Sequence, residues 1–138
     1  MAYWLIKSEP GAFSWDDEVK SGAKGEAWTG VRNHQAKLNL MKMKKGDCAF
    51  FYHSNEGKEI VGVVEVVREH YPDPTAKVGE PWVVVDVKAV EPLQKPVTLA
   101  EAKAEPRLKA MALVNNTRLS VQPVTADEWK TVRKMGGL

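Results

Sequence analysis

The sequence predicts a small α+β domain in which short helices surround a curved antiparallel sheet or open β-barrel. Three apolar segments, residues 48–54, 59–68 and 82–90, follow one another with only a turn or a loop between them, which favours an antiparallel meander. Helical patterns lie before and after these segments, and the strand–helix–strand repetition of a parallel sheet is absent. A chain of 138 residues is long enough to bury a core, and we expect a single domain over residues 1–138.

The elements before the meander are one strand and two helices. Residues 2–7 are strongly apolar and predict a strand. Ser14 followed by Asp17 is a capping-box pattern, which predicts a short helix that ends near Gly22. After a loop, residues 32–43 predict a second helix with small and apolar side chains on one face.

The elements after position 54 alternate between turns, strands and capped helices. Residues 55–58 predict a hairpin turn, and a proline-containing loop spans about residues 71–81. Residues 118–124 predict a short final strand that contains a proline. Two further capping patterns each predict a helix, namely Thr98 with Glu101 and Thr125 with Glu128.

Composition excludes several classes of protein. Apolar residues make up 43% of the chain and charged residues 28%, which is typical of a globular domain. No apolar run reaches the roughly 20 residues of a membrane span, and no secretory leader is visible. Cys48 is the one cysteine, so an internal disulfide is excluded, and the three histidines have no cysteine at ligand spacing. We expect a cytoplasmic protein, nuclear in a eukaryote, that is monomeric and binds neither metal, cofactor nor membrane.

The end of the first strand is the most informative feature for function. Lys7, Ser8 and Glu9 place a cation, a hydroxyl and a carboxylate at the edge of an apolar core. The segments Trp28–Asn33 and Phe50–Asn55 each combine apolar and polar side chains and are suited to meet that edge. Apolar walls with a few convergent polar groups are typical of a small-ligand or flipped-base pocket. A core strand that simply ends at a turn is the alternative.

Four blocks of sequence resemble the EVE domain family. They occur in the order Tyr3–Pro10, Trp28–Asn33, Phe50–Asn55 and Arg118–Val124, and the resemblance runs from about residue 2 to residue 135. This resemblance implies a PUA-like barrel. It also implies a module that binds nucleic acid with modified bases, modified cytosine being the usual proposal.

A more distant similarity is to YTH domains, which read methylated adenine in RNA. Those domains also begin with a strand that ends in Lys-Ser, as Lys7 and Ser8 do here, and place a pocket tryptophan about twenty residues later, as Trp28 is placed. The chain departs from them after Ser8, where Glu9 and Pro10 replace amide side chains.

These patterns predict a base pocket with aromatic walls and polar contacts. Trp28 is expected to stack on a base, Lys7 and Ser8 to donate hydrogen bonds, and Glu9 to accept one from an exocyclic amine. Tyr52 and Ser54 share one strand face, whereas His53 points to the other, so the pocket uses either the first two or His53. Each side chain also has a purely structural interpretation. The predicted pocket comprises Lys7, Ser8, Glu9, Trp28, Tyr52, Ser54 and Trp82.

A basic segment is the candidate path for the phosphate backbone. Residues 32–45 contain five cationic side chains and no acid, although the whole chain has a net charge of only +2. A solvated helix face is the alternative interpretation. The predicted backbone and rim contacts are Arg32, Asn33, Lys37, Lys42, Lys45, His53, Arg118 and Ser120.

The favoured function is a non-enzymatic reader of DNA or RNA that carries a modified base. The rival function is a hydrolase of a modified nucleoside or nucleic acid, in which Glu9 with Lys7, or His53, performs acid–base chemistry. A third alternative, a protein-interaction adaptor, predicts an exposed apolar patch.

Overall fold

A computed structural model describes all residues, 1–138, and contains one mixed six-stranded sheet. The strands are β1 (Tyr3–Ser8), β2 (Glu26–Ala27), β3 (Cys48–His53), β4 (Glu59–Pro72), β5 (Val83–Thr98) and β6 (Val121–Val124). Their order across the sheet is β2-β5-β4-β3-β1-β6, and the two outer strands do not pair with each other. The predicted α+β class and curved open sheet are thus confirmed.

Five short helices surround the sheet. They are α1 (Trp15–Lys20), α2 (His34–Lys42), α3 (Leu99–Ala104), α4 (Ala112–Asn115) and α5 (Ala126–Met135). The capping boxes predicted at Ser14, Thr98 and Thr125 are all present, each with both reciprocal hydrogen bonds. None of these helices is long and apolar enough to cross a membrane. No group of three or more His, Cys, Asp or Glu side chains is placed to hold a metal ion.

The predicted meander of β3, β4 and β5 is antiparallel throughout, but β1 changes the topology. It runs parallel to β3, with Tyr3 opposite Cys48 and Ser8 opposite His53, and antiparallel to β6 on its other side. The expectation of a wholly antiparallel sheet was therefore wrong at this pair. A parallel pair needs a long crossover, and residues 9–47, with α1, β2 and α2, provide it.

The long strands extend further than the sequence pattern predicts. β5 continues to Thr98 through Pro92 and Pro96, residues that normally end a strand. Strand β2 pairs only with Asp86 and Val87, so the rest of β5 is an edge of the sheet on that side. Proline has no N–H, and at an edge this removes no hydrogen bond between strands. Four register shifts between β4 and β5 bend this part of the sheet.

Both faces of the sheet are covered by apolar cores. Trp4 and Ile6 of β1 join a core with Ala36 and Leu40 of α2, and we call this side the α2 face. Leu5, which lies between them in β1, joins a core with residues of α3, α4 and α5, and we call this side the α5 face. Successive side chains of β1 and β3 point to opposite faces of the sheet, so each side chain near the strand ends lies on either the α2 face or the α5 face.

Candidate functional site

A cavity of about 320 Å³ opens on the α2 face at the carboxyl end of β1, and we call it the Trp28 cavity. The loop after β1 forms one wall, and β2 with the residues that follow it forms the other. The lining residues are Lys7, Ser8, Ala12, Phe13, Glu26, Ala27, Trp28 and Thr29.

Trp28 is held rigidly in the wall of this cavity. Its ring makes edge-on contacts with Phe13 (centroids 6.0 Å apart, planes at 87°) and Phe51 (5.4 Å, 86°). Its backbone N–H donates to the carbonyl oxygen of Val85 at 2.9 Å. The indole Nε1–H donates to no group of the protein, although the residue is only 7% exposed. The cavity therefore has a fixed aromatic surface with an unused donor.

Ser8 fixes the opposite wall. Its hydroxyl donates to the carbonyl oxygen of Phe13 at 2.5 Å, and the N–H groups of Ala12 and Phe13 donate to the carbonyl oxygen of Glu9 at 2.9 Å. The loop consequently folds back over the end of β1 and brings Phe13 against Trp28. Ser8 Oγ retains lone pairs that can accept a hydrogen bond.

Two acidic residues without a predicted role lie in this region. Glu26 lines the cavity, and Trp28 follows it by two residues, a spacing that places both on one side of an extended chain. Glu18 in α1 is fully buried, and neither carboxylate oxygen has a hydrogen-bond partner. Burial, with a smaller effect from the charge of Glu26, raises the pKa of Glu18 to about 8. Glu18 is therefore largely protonated at neutral pH.

The structure divides the predicted base pocket between the two faces of the sheet. Ser8 and Trp28 border the cavity on the α2 face, whereas Tyr52 belongs to the core of the α5 face. Lys7 lies opposite Tyr52 in the ladder, with its Nζ 5.6 Å from the Tyr52 ring centroid. Trp28 and Tyr52, predicted to share one pocket, therefore border two different cavities, and Lys7 at the end of β1 lines both of them. Ser54 lines a second cavity together with Tyr52.

Two other predicted pocket residues lie outside the Trp28 cavity. Glu9 is exposed, and only its carbonyl oxygen has a role, in the turn after β1. Trp82 packs on His34 with ring centroids 4.9 Å apart, and the guanidinium of Arg32 lies 5.7 Å from its ring. Trp82 thus stabilises the start of α2.

His53 has a structural contact. Its Nε2 accepts a hydrogen bond from the N–H of Trp15, the first residue of α1, at 3.1 Å. Burial lowers the pKa of His53, although the charges of Glu59 and Asp16 act in the opposite direction. Both observations favour a neutral ring that anchors α1.

Arg32 and Asn33, predicted to contact phosphate, are occupied within the protein. Arg32 forms an ion pair with Asp73 at 3.0 Å, and Gly30 N–H donates to the same carboxylate oxygen at 3.0 Å. Burial alone raises the pKa of Asp73, but hydrogen bonds from Thr75, Gly30 and Arg32 outweigh it and bring the pKa to about 2. Asn33 caps α2 by accepting from the backbone N–H of the third helical residue. Both side chains thus have partners within the protein, and their predicted contact with the phosphate backbone stays a prediction.

The other predicted backbone contacts lie on the surface. Lys42 and Lys45 are exposed, Lys37 is half-buried, and none of them has a carboxylate oxygen within 4.0 Å. Arg118 is exposed near the start of β6, and the carbonyl oxygen of Ser120 accepts the N–H of Lys7 at 3.0 Å.

The EVE domain model matches residues 2–135 of this chain. Thymocyte nuclear protein 1 from Homo sapiens is 36% identical over 95% of this chain and 72% of its own length. A crystal structure of that human protein in complex with DNA containing 5-methylcytosine is 35% identical, with a TM-score of 0.90, over 100% of this chain and 99% of that chain. An NMR structure of a protein from Rhodopseudomonas palustris is 66% identical, with a TM-score of 0.93, over 99% of this chain and 94% of that one.

A more distant solved structure has a similar fold. The YTH domain of Zygosaccharomyces rouxii MRB1 aligns over 98% of this chain and 86% of that chain, with a TM-score of 0.59 and 17% identity, a likeness of fold alone. The resemblance predicted from four sequence blocks is confirmed by the match to the family model and by relatives that align with nearly the whole of this chain. This chain belongs to the EVE domain family.

Proposed function

We propose that this chain is a reader that binds nucleic acid carrying a modified base, and that the base enters the Trp28 cavity. The observation that carries the proposal is the rigid Trp28 wall with its unused indole N–H. The complex of human thymocyte nuclear protein 1 with DNA containing 5-methylcytosine supports it, because that protein shares this fold over the full chain. Cytosine with a modification is accordingly the preferred base, and DNA the preferred polymer.

The lining groups suit the edge of a cytosine. The exocyclic amine of cytosine donates hydrogen bonds, and the Glu26 carboxylate on the cavity edge accepts them. The indole N–H of Trp28 donates to an acceptor on the ring, and Phe13 adds apolar surface beside a methyl group. Glu26 therefore takes the role predicted for Glu9.

Stacking alone does not give tight binding. One base on an aromatic side chain contributes roughly 1–3 kcal/mol, and extruding a base from a duplex costs a few kcal/mol. The two terms nearly cancel, so contacts to the phosphate backbone must supply most of the affinity. Lys42 and Lys45 are available for this, since neither is engaged by a carboxylate.

The test fills the cavity without disturbing the core. Ala12 is exposed and lines the cavity, so Ala12→Trp should block it, whereas Trp28→Ala would remove a core residue at a cost of about 3–5 kcal/mol. We expect Ala12→Trp to reduce the preference for 5-methylcytosine over cytosine, in matched oligonucleotides, to near unity. Ala126→Trp, at another exposed position, in α5, is the control and should keep the preference. Retained preference in Ala12→Trp would refute the assignment of the cavity.

The hydrolase alternative is tested in the same samples. Of the side chains on which it rests, Glu9 is outside the cavity and His53 is hydrogen-bonded to α1. Mass spectrometry of the oligonucleotides after long incubation should show no change, and loss of a base or of its modification would favour the enzyme. The vertebrate relatives are named as nuclear proteins; the cytoplasmic location predicted for this chain stays a prediction.

A further inference from the structure

We propose that a second cavity, on the α5 face, is a binding site for a phosphate group. It has a volume of about 350 Å³ and lies between the ends of β1 and β3, the hairpin 54–58 and α3. We call it the Lys58 cavity. The proposal does not depend on the proposed function, because the Trp28 cavity opens on the other face of the sheet.

The cavity collects positive charge without compensation. Lys7, Lys58 and Lys103 line it, no acidic side chain does, and none of the three has a carboxylate oxygen within 4.0 Å. Lys7 Nζ donates to the carbonyl oxygen of Thr117 at 2.7 Å, which leaves two of its N–H groups unused. Like charges in one cavity repel each other, and a bound anion removes that repulsion.

Neutral donors complete the site. Tyr52 is 3% exposed and lines the cavity, yet its phenol oxygen has no hydrogen-bond partner in the protein. Burial raises the pKa of Tyr52, so the phenol keeps its proton and can donate it in a hydrogen bond. The Ser54 hydroxyl lines the same cavity and is equally unpaired. A phosphate needs several donors around its oxygens, and this set provides them.

The hairpin backbone places Lys58 in an unfavourable conformation. Its φ is 47° and that of Asn55 is 63°, both in the left-handed region that favours glycine. The carbonyl oxygen of Lys58 accepts the N–H of Leu99 at 2.8 Å, so α3 fixes the turn. Non-glycine residues in this region concentrate at ligand sites. Lys58 is exposed, and the fixed turn places the start of its side chain at the edge of the cavity.

The phosphate could come from two sources. Lys7 borders both cavities, so a backbone phosphate next to a base in the Trp28 cavity has a short path over the end of β1. A free phosphate or mononucleotide would make the same contacts. Both sources present the same phosphate oxygens to the cavity, and the titrations below distinguish between them.

The experiment is a titration of ¹⁵N-labelled protein with inorganic phosphate at constant ionic strength. We expect saturable shifts of the amide resonances of residues 54–58, weakened at least fivefold by Lys103→Met and also by Tyr52→Phe. Lys130→Met, an exposed lysine of α5 outside the cavity, is the control and should bind as wild type. Absence of saturation, or equal affinity in Lys103→Met, would overturn the proposal.

Two further titrations identify the source and separate this site from the Trp28 cavity. Weaker binding of Lys103→Met to oligonucleotides, with competition between inorganic phosphate and the oligonucleotide in the wild type, assigns a backbone phosphate. Unchanged oligonucleotide binding with weakened phosphate binding assigns a free ligand. Ala12→Trp should leave the phosphate titration unaffected, so failure at one cavity is distinguishable from failure at the other.

Discussion

Glu18 is a carboxylic acid that the fold encloses without giving its oxygens a donor. Its pKa of about 8 lies well above the value near 4.5 expected in the unfolded chain. Between these two pH values the folded protein holds more protons than the unfolded one, so the free energy of unfolding decreases as pH rises. The destabilisation that comes from ionising the buried Glu18 is absent below about pH 4.5 and increases until the carboxyl is ionised above about pH 8.

Replacing Glu18 should therefore stabilise the protein at alkaline pH. A buried polar group without a partner costs on the order of 1–3 kcal/mol, and we expect Glu18→Met to raise the free energy of unfolding by that amount at pH 8.5. The gain should shrink near pH 4.5. Urea unfolding at the two pH values measures it, with Glu18→Gln as a control that cannot titrate but stays polar. An equal gain at both pH values would contradict the titration of Glu18.

Individual site residues could be predicted where local spacing decides their position. A loop tryptophan and a strand-end hydroxyl carry visible chemistry, which is why Trp28 and Ser8 can be selected from the sequence, and both line the Trp28 cavity. Glu26 can be selected from its spacing to Trp28. The contact between Arg32 and Asp73 joins residues 41 positions apart, and no local pattern reports such a pair. A free cation and a paired one look the same in sequence.

At the scale of elements, the loop after β4 supports the wall of the Trp28 cavity. Asp73 accepts hydrogen bonds from Gly30 and Arg32, which flank Val31 in the segment after Trp28. Thr75 donates to the other oxygen of the same carboxylate through both its N–H and its hydroxyl. One buried carboxylate thus joins the segment after β2 to the loop after β4.

Removing this carboxylate should loosen the cavity wall. We expect Asp73→Asn to lower the free energy of unfolding by about 1–3 kcal/mol at pH 7 and to accelerate hydrogen exchange at the Gly30 amide. The carboxylate's contribution is present above about pH 4 and is lost as pH falls towards its pKa of about 2, so the difference should vanish there. Asp127→Asn, an exposed acid of α5, is the control. An unchanged rate of hydrogen exchange at the Gly30 amide would show that Asp73 does not support the cavity wall.

Elements with local signals were predicted, and pairings between distant strands were not. Each capping box needs only four consecutive residues, and all three were found. The parallel pairing of β1 with β3 joins segments that lie far apart in the sequence. The pattern of residues 2–7 predicts a strand but does not indicate which strands pair with it. The length of β5 was missed because Pro92 ends a central strand but is tolerated at an edge.

Across the whole molecule, positive charge is placed on both sides of the sheet although the net charge is only +2. Lys42 is the last residue of α2 and Lys45 lies before β3, whereas the lysines of the Lys58 cavity lie on the α5 face. Affinity for any base and discrimination between bases are thus expected to depend on different residues.

Double substitution of Lys42 and Lys45 by Ala should weaken binding to 5-methylcytosine and cytosine oligonucleotides by similar factors. The slope of log affinity against log salt should fall by about 1 for each lost phosphate contact, somewhat less on a single strand. The measurement is a salt titration with both oligonucleotides. The pair Lys130→Ala and Lys134→Ala in α5 matches the charge change; an equal fall in that control would attribute the effect to net charge alone.

The position of β1 between β3 and β6 also bears on how the chain matures during synthesis. One side of β1 can pair only after residues 48–53 have emerged from the ribosome, and the other only after residues 121–124 have. Until then an apolar strand keeps unpaired N–H and C=O groups, the kind of edge that recruits other chains. A nascent chain stalled before β6 should therefore be a substrate for chaperones, although most of its sheet is already encoded.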